Sequence, residues 1–147
     1  RSGDRRRVIV LDPGHGGVDP GTVGVTGSYE KHITLAVAKA AKEVLEASGR
    51  YHVILTRKRD VYVRLRDRFE IAHSNKAEMF ISLHADSIGS RKIRGGSIYT
   101  LSDKASDKEA EDLAKKENKS DIIAGASPWG LHLYRYLSSS SIPWDFI

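Results

Sequence analysis

The feature that most constrains this chain is the alternation of strand-like runs with helical periodicity along its first half. Runs at 8–11, 51–56 and 79–83 are typical of short strands buried in a parallel sheet. Between them, apolar residues recur at steps of three and four, first as Ile33, Val37, Ala40 and Val44 and then as Val61, Leu65, Phe69 and Ala72. This order predicts an α/β fold: a single domain with a mostly parallel twisted sheet and helices on both faces.

The second half of the chain is less regular. Residues 97–101 predict a fourth strand, and the charged stretch 105–119 predicts a third helix with a narrow apolar face. Beyond Gly125 the aromatic residues follow neither a helical nor a strand period, and this stretch includes a run of four serines. We therefore divide the chain into a domain over 1–125 and an irregular tail over 126–147.

Composition excludes several classes of protein. Lys and Arg number 24 against 19 Asp and Glu, a net charge of +5. These charges are interspersed, and the basic runs lie apart from aromatic side chains, so nucleic acid is not a predicted partner. Cysteine is absent, which excludes disulfides and thiolate chemistry. No stretch approaches the ~18 consecutive apolar residues of a membrane span. No signal peptide opens the chain, so we expect either a cytosolic protein or a mature one whose export signal has been removed.

Two histidines directly follow predicted strands. His15 lies in a glycine-rich loop after the first strand, and His84 follows the third. Because the carboxyl ends of parallel strands meet at one edge of a sheet, both imidazoles and Glu30, at the start of the first helix, are expected there. Two histidines and a carboxylate are the ligand set of a catalytic zinc site with an open fourth position. Each residue also has an interpretation without a metal. The histidines would then be ordinary surface residues, and Glu30 a first-turn carboxylate that interacts favourably with the helix dipole.

Two motifs and the residues between them can be compared with known families: Asp-Pro-Gly-His-Gly-Gly at 12–17 and Ser-Leu-His-Ala-Asp at 82–86. Their order is similar to that of the zinc-dependent N-acetylmuramoyl-L-alanine amidases, bacterial enzymes that cut peptidoglycan when daughter cells separate. Among the residues between the two motifs, Arg57, Asp60 and Arg68 match the family pattern. We interpret these three as structural, in buried polar pairs that bridge the second helix to the sheet.

The resemblance implies a specific reaction. Members of this family hydrolyse the amide between N-acetylmuramic acid and L-alanine in peptidoglycan with one Zn²⁺, and the matching ligands here are His15, Glu30 and His84. Asp12, Asp86 or a backbone carbonyl would accept the second N–H of a ligating imidazole. The resemblance also implies a location in the bacterial periplasm or cell envelope.

The resemblance further implies regulation. Division amidases of this type carry an inserted helix after the fourth strand, which covers the active site until an envelope activator displaces it. The helix predicted at 105–119 occupies this position in the sequence, and a glutamate on it would fill the open zinc position: Glu117 first, then Glu109 or Glu111. The alternative is a solvated surface helix.

One part of the family pattern is not found in residues 126–147. The amidases carry a late glutamate that serves as general base, whereas Asp145 is the only acid in this stretch. The motifs make a septal zinc amidase, autoinhibited by a helix, the leading hypothesis. The alternative is a truncated, non-catalytic module that binds zinc and peptidoglycan. A third possibility, another zinc hydrolase on an unrelated fold, is disfavoured by the spacing of the two histidine motifs and Glu30.

Overall fold

The chain forms two compact units, Arg1–Asp86 and Ser87–Ile147. The computed structural model describes residues 6–85, 95–101, 108–117, 119, 123–124 and 137–142. The predicted boundary near residue 125 differs from the division between these two units. A catalytic domain over 1–125 with a tail over 126–147 therefore stays a prediction.

The first unit is built on a parallel sheet of three strands. These are β1 (Arg7–Pro13), β2 (Tyr51–Leu55) and β3 (Met79–Leu83), with β1 between the other two. The register pairs Leu11 with Leu55 on one side and with Ile81 on the other. This parallel arrangement confirms the prediction made from the alternating runs.

Two helices cover the sheet, α1 (Glu30–Ala47) and α2 (Leu65–Ser74). The core beneath α1 contains Ile9, Leu11, Ala38, Val53 and Leu55. Side chains alternate between the two faces of a strand, so the neighbouring residues of β1 and β3 point the other way. There Phe69 of α2 stacks on Phe80 of β3, with ring centroids 4.7 Å apart. The prediction of helices on both faces is therefore confirmed.

The buried face of α1 lies one residue away from the apolar residues that recur at steps of three and four. The buried residues of this helix are Glu30, Thr34 and Ala38, whereas Ile33 and Val37 are 43% and 50% exposed. The physical reason is that two polar side chains have buried partners. The Glu30 carboxylate lies 3.2 Å from His15 Nε2, and the Thr34 hydroxyl donates to the carbonyl of residue 14. These contacts turn the helix so that the apolar stripe faces outward.

The second helix also begins later than its apolar spacing suggests. Val61 lies before α2, which starts at Leu65. The preceding residues form a loop against the glycine-rich turn, where the carbonyl oxygen of Val61 approaches Gly16 closely. At the helix start Arg64 forms an exposed ion pair with Asp67, 2.8 Å away.

The second unit contains β4 (Gly96–Leu101), α3 (Lys108–Glu117) and β5 (Leu137–Ile142). The fourth strand is confirmed, and so is the third helix over its described residues, Lys108–Glu117. An irregular tail is wrong over Leu137–Ile142, because these residues pair antiparallel with β4. Ladder bonds join backbone groups, so a serine run can form a strand without apolar periodicity.

No helix in the described ranges has both the length and the apolar character needed to cross a membrane.

Candidate metal centre

Three side chains converge at the carboxyl edge of the parallel sheet. His15 follows β1, His84 follows β3, and Glu30 is the first residue of α1. His15 Nε2 and His84 Nδ1 are 3.2 Å apart. The Glu30 carboxylate lies 3.2 Å from His15 Nε2 and 3.3 Å from His84 Nδ1, through different oxygens. The structure thus brings together the three residues that the sequence pattern selected.

These separations fit a tetrahedral metal ion. Ligand atoms ~2.0–2.1 Å from zinc in tetrahedral geometry are about 3.3–3.4 Å from one another. His15 and Glu30 are buried, while 19% of the His84 side chain is exposed. The ligand atoms all lie within 4.8 Å of one another, so this group could hold a metal ion.

Glu30 is held as an anion despite its burial. Burial raises the pKa of this carboxyl group, but hydrogen bonds with His15 and His84 and from the backbone N–H groups of Thr22 and Ala85 outweigh that effect. The two backbone donors lie 2.8 and 2.7 Å from the carboxylate oxygens. The pKa of Glu30 is therefore well below its ordinary value, and an ionised carboxylate is the form that binds a metal.

Two glycines make room for the histidines. A methyl group on Gly14 would lie only 2.4–2.8 Å from atoms of the His84 ring. One on Gly21 would lie 2.6 Å from His15 Cδ2 and 2.8 Å from Glu30, at a backbone φ of +68° that disfavours other residues. The glycines therefore shape the space around both imidazoles and the carboxylate.

A carboxylate that the sequence analysis missed orients His15. Asp19 Oδ2 lies 2.9 Å from His15 Nδ1, the ring nitrogen that faces away from His84 and Glu30. Its other oxygen accepts the backbone N–H of Gly21. The available signal was the Asp-Pro-Gly turn at 19–21, four residues after the histidine. Such a carboxylate fixes both the tautomer and the orientation of a ligating imidazole.

His84 is oriented differently. Its Nε2 lies 3.2 Å from Ser82 Oγ, and the Ser82 hydroxyl is 2.8 Å from Asp12 Oδ2. Asp12, one of the predicted partners, therefore reaches the imidazole through a hydroxyl group. Asp86, another predicted partner, lies outside the described residues.

Arg68 joins α2 to the sheet beneath the site. Its guanidinium forms a buried ion pair with Asp12, at 2.8 Å. It also donates to the carbonyl oxygens of Pro13 and His15, each at 3.0 Å. The predicted bridge between the second helix and the sheet is confirmed for this residue.

Arg57 and Asp60 support the same loop in other ways. Arg57 is buried and donates to the carbonyl oxygens of residues 13 and 14 at 2.9 and 2.8 Å. Burial lowers the pKa of its guanidinium. Asp60 is 40% exposed and pairs with Lys31, so the prediction of a buried position for this residue is wrong.

The three predicted autoinhibitory glutamates belong to α3, in the second unit. Glu111 is exposed and forms an ion pair with Lys115 on the same helix, at 2.6 Å. The side chains of Glu109 and Glu117 lie outside the described part of the structure. A contact between this helix and the metal centre stays a prediction.

A parallel α/β sheet with two histidines and a glutamate at its carboxyl edge defines a domain with a candidate catalytic metal site. The sequence profile of the N-acetylmuramoyl-L-alanine amidases matches residues 9–125, and the chain belongs to this family.

Relatives extend the comparison. N-acetylmuramoyl-L-alanine amidase AmiA of Escherichia coli K12 is 46% identical over 121 residues, which cover 82% of this chain and 42% of the relative. AmiC of Neisseria meningitidis serogroup B is 41% identical over 127 residues, covering 86% and 30%. The chain thus spans less than half the length of these two relatives.

Solved structures show the same architecture. The catalytic domain of CwlV, an amidase from Bacillus (Paenibacillus) polymyxa var. colistinus, is 28% identical, with a TM-score of 0.61, over 90% of this chain and 78% of that one. AmiC2 of Nostoc punctiforme is also 28% identical, with a TM-score of 0.60, over 95% and 79%. Both confirm the predicted α/β fold.

Proposed function

We propose that this chain belongs to a zinc-dependent enzyme that hydrolyses the amide between N-acetylmuramic acid and L-alanine in peptidoglycan during septal wall splitting. The observation that carries the proposal is the convergence of His15, Glu30 and His84 at separations of 3.2–3.3 Å. The family to which the chain belongs and the names of its relatives support the substrate.

The residues around the site have distinct roles in this proposal. Zinc bound there would polarise the scissile carbonyl and lower the pKa of a water towards ~7. Glu30 supplies a negative charge, and the backbone N–H groups of Thr22 and Ala85 donate to its carboxylate. Asp19 and Ser82 hold the imidazoles in place, and His84 is the candidate ligand whose side chain is partly exposed.

The alternative is a module that binds zinc and peptidoglycan without turnover. It is favoured by one observation: residues 126–147 contain no glutamate to serve as the general base that the family resemblance implies. Glu30 is committed to the metal in the present proposal, so it is not free to take the proton from water. The two candidates share a metal centre and differ in catalysis.

One experiment separates them. The zinc-loaded chain is incubated with purified sacculi, and new amino-terminal L-alanine and new reducing sugar are measured. Amidase activity gives the amino termini without reducing sugar, and His84→Ala abolishes it. His52→Ala is the matched control, because His52 is exposed on β2. Binding to sacculi without new amino termini supports the module, and neither binding nor cleavage contradicts both candidates.

Location and regulation form a second part of the proposal. We place the protein in the bacterial periplasm or cell envelope, with an activator that displaces α3 from the metal centre. The position of this charged helix after β4 supports the idea. Glu117 is the first candidate to fill the open metal position, followed by Glu109 and Glu111.

The autoinhibition proposal has its own test. Glu117→Ala should speed amide exchange in α3 and increase binding of a small zinc-chelating inhibitor. Asp112→Ala is the control, because Asp112 is an exposed acid on the same helix and is not a candidate ligand. Equal inhibitor binding by the parent and Glu117→Ala contradicts the assignment of Glu117.

A further inference from the structure

The two histidines of the candidate centre present opposite ring nitrogens to it. His15 uses Nε2, and its Nδ1 faces the carboxylate of Asp19. His84 uses Nδ1, and its Nε2 faces the hydroxyl of Ser82. An ionised carboxylate only accepts hydrogen bonds, so it selects the protonated Nδ1 of His15. A hydroxyl both donates and accepts, so Ser82 alone does not decide which nitrogen of His84 carries the proton.

A buried ion pair decides the direction. The guanidinium of Arg68 only donates, and it lies 2.8 Å from Asp12 Oδ1. The other oxygen, Asp12 Oδ2, lies 2.8 Å from Ser82 Oγ. Because an ionised carboxylate accepts, the Ser82 hydroxyl must donate its hydrogen to Asp12. The serine oxygen then offers a lone pair to Nε2 of His84. In the neutral imidazole that a metal requires, Nε2 is therefore the protonated nitrogen and Nδ1 carries the lone pair.

The sheet register fixes this arrangement. Asp12 and Ser82 are direct partners across β1 and β3, so their side chains lie on the same face. Arg68 is buried above them on α2, at 1% exposure. The three residues that are hydrogen-bonded in series to His84, namely Arg68, Asp12 and Ser82, thus lie on a helix and two strands. This limits how far the His84 imidazole can rotate.

We propose that Ser82 and Asp12 are positioning residues that hold His84 in the tautomer with Nδ1 directed at the metal. This inference rests on the proposed metal-binding function. It adds a specific role for two residues that lie outside the candidate ligand group.

The first test measures zinc affinity of the full chain by competition with a chromophoric chelator. Loss of an outer hydrogen-bond partner costs about 10–100-fold in metal affinity, so Ser82→Ala is expected to weaken zinc binding at least about tenfold. Ser82→Thr keeps the hydroxyl and should restore most of the affinity. Thr56→Val is the matched control: Thr56 also donates to Asp12, but to Oδ1, away from His84. It should change zinc affinity by no more than about threefold.

The second test reads the tautomer directly and needs no variant. In the zinc-loaded chain labelled with ¹⁵N-histidine, long-range ¹H–¹⁵N correlations should show His84 with metal-bound Nδ1 and protonated Nε2. His15 should show the reverse pattern. Metal bound to Nε2 of His84 would overturn the proposal whatever the variants do.

The outcomes separate this inference from the function on which it rests. If the parent chain binds no zinc, the metal function fails and the inference fails with it. If the parent binds zinc, His84→Ala loses it, and Ser82→Ala binds as tightly as the parent, the positioning proposal alone is overturned. Equal losses in Ser82→Ala and Ser82→Thr would also overturn it, because the hydroxyl would then not be the relevant group.

Discussion

Toward the carboxyl end of the strands, the two faces of the parallel sheet are built from different chemistry. Beneath α1, side chains such as Leu11 and Val53 form an apolar core. On the opposite face, toward the carboxyl end, Asp12 and Ser82 form a hydrogen-bonded network with Arg68 of α2. One central strand supplies both, since Leu11 and Asp12 are consecutive residues that point to opposite faces.

This difference shows how stability and metal binding can be divided within a small unit. The apolar face increases the free energy of unfolding, because its hydrocarbon side chains are removed from water on folding. The polar face contains groups that are costly to bury unless each has a partner, and its bonds end at His84. Damage to the first face should therefore reduce the free energy of unfolding alone, whereas damage to the second should also reduce metal affinity.

The largest effect is expected from a pair of variants at the centre of β1. Asp12→Ala leaves the buried Arg68 charge without its carboxylate, a loss of about 3–5 kcal/mol in the free energy of unfolding. Leu11→Ala should cost about 2–5 kcal/mol through the cavity that it creates. Urea unfolding measures both. Zinc affinity is measured under conditions where each variant is folded, and it should fall only in Asp12→Ala. An equal loss of zinc affinity in Leu11→Ala would contradict the claim that only the polar face affects metal binding.

A smaller effect on stability, with a clear effect on the metal, is expected at Gly14. In Gly14→Ala the new methyl group would displace the His84 ring, which lies within 2.8 Å of it. Zinc affinity should fall by at least about tenfold, as for loss of a group that orients a ligand. Gly24→Ala is the control, since a methyl group there meets its nearest neighbour at 3.4 Å. Similar zinc affinity in the two variants would contradict the proposed role of Gly14.

Asp60 sharpens the comparison as a solvent-exposed counterpart of Asp12. Its hydrogen bond with Lys31 lowers the pKa below the ordinary 3.8, so its stabilising effect is present above about pH 4 and is lost as the pH falls through the folded-state pKa. The carboxylate is 40% exposed, which limits its contribution to less than about 1 kcal/mol. Asp60→Asn should therefore lower the urea midpoint slightly at pH 6 and leave it unchanged near pH 2. A larger difference in urea midpoint between the parent and Asp60→Asn at pH 2 than at pH 6 would contradict the expected pH dependence.

The smallest effect is expected on the outer side of α1. Val44 is 72% exposed and lies about 120° around the helix from the buried Ala38. Val44→Lys should change the free energy of unfolding by no more than about 0.5 kcal/mol, as is usual for exposed positions. A loss of several kcal/mol in urea unfolding would mean that this stripe is covered in solution.

The sequence predicted the parallel strands and the three candidate ligands for the same reason. Short apolar runs mark buried strands, and strands that run parallel bring residues that follow them, such as His15 and His84, to one edge. Glu30 was found because the helix after the loop begins at that edge. These inferences depend on chain order and need no knowledge of side-chain packing.

The rest depended on contacts that periodicity does not encode. The apolar pattern of α1 does not identify its buried face, because Glu30 and Thr34 are buried polar residues and such a pattern places polar residues outside. Asp19 and Ser82 were missed because their roles appear only when their distances to the imidazoles are known. The strand at Leu137–Ile142 was missed because a serine run has no apolar alternation, although its backbone can still pair.

The most direct test of the account is the metal content of the full chain after zinc loading and gel filtration. We expect about one zinc per chain in the parent and in His52→Ala, and no retained zinc in His15→Ala or His84→Ala. A parent chain without zinc, or unchanged zinc in either ligand variant, would contradict the assignment of the metal centre.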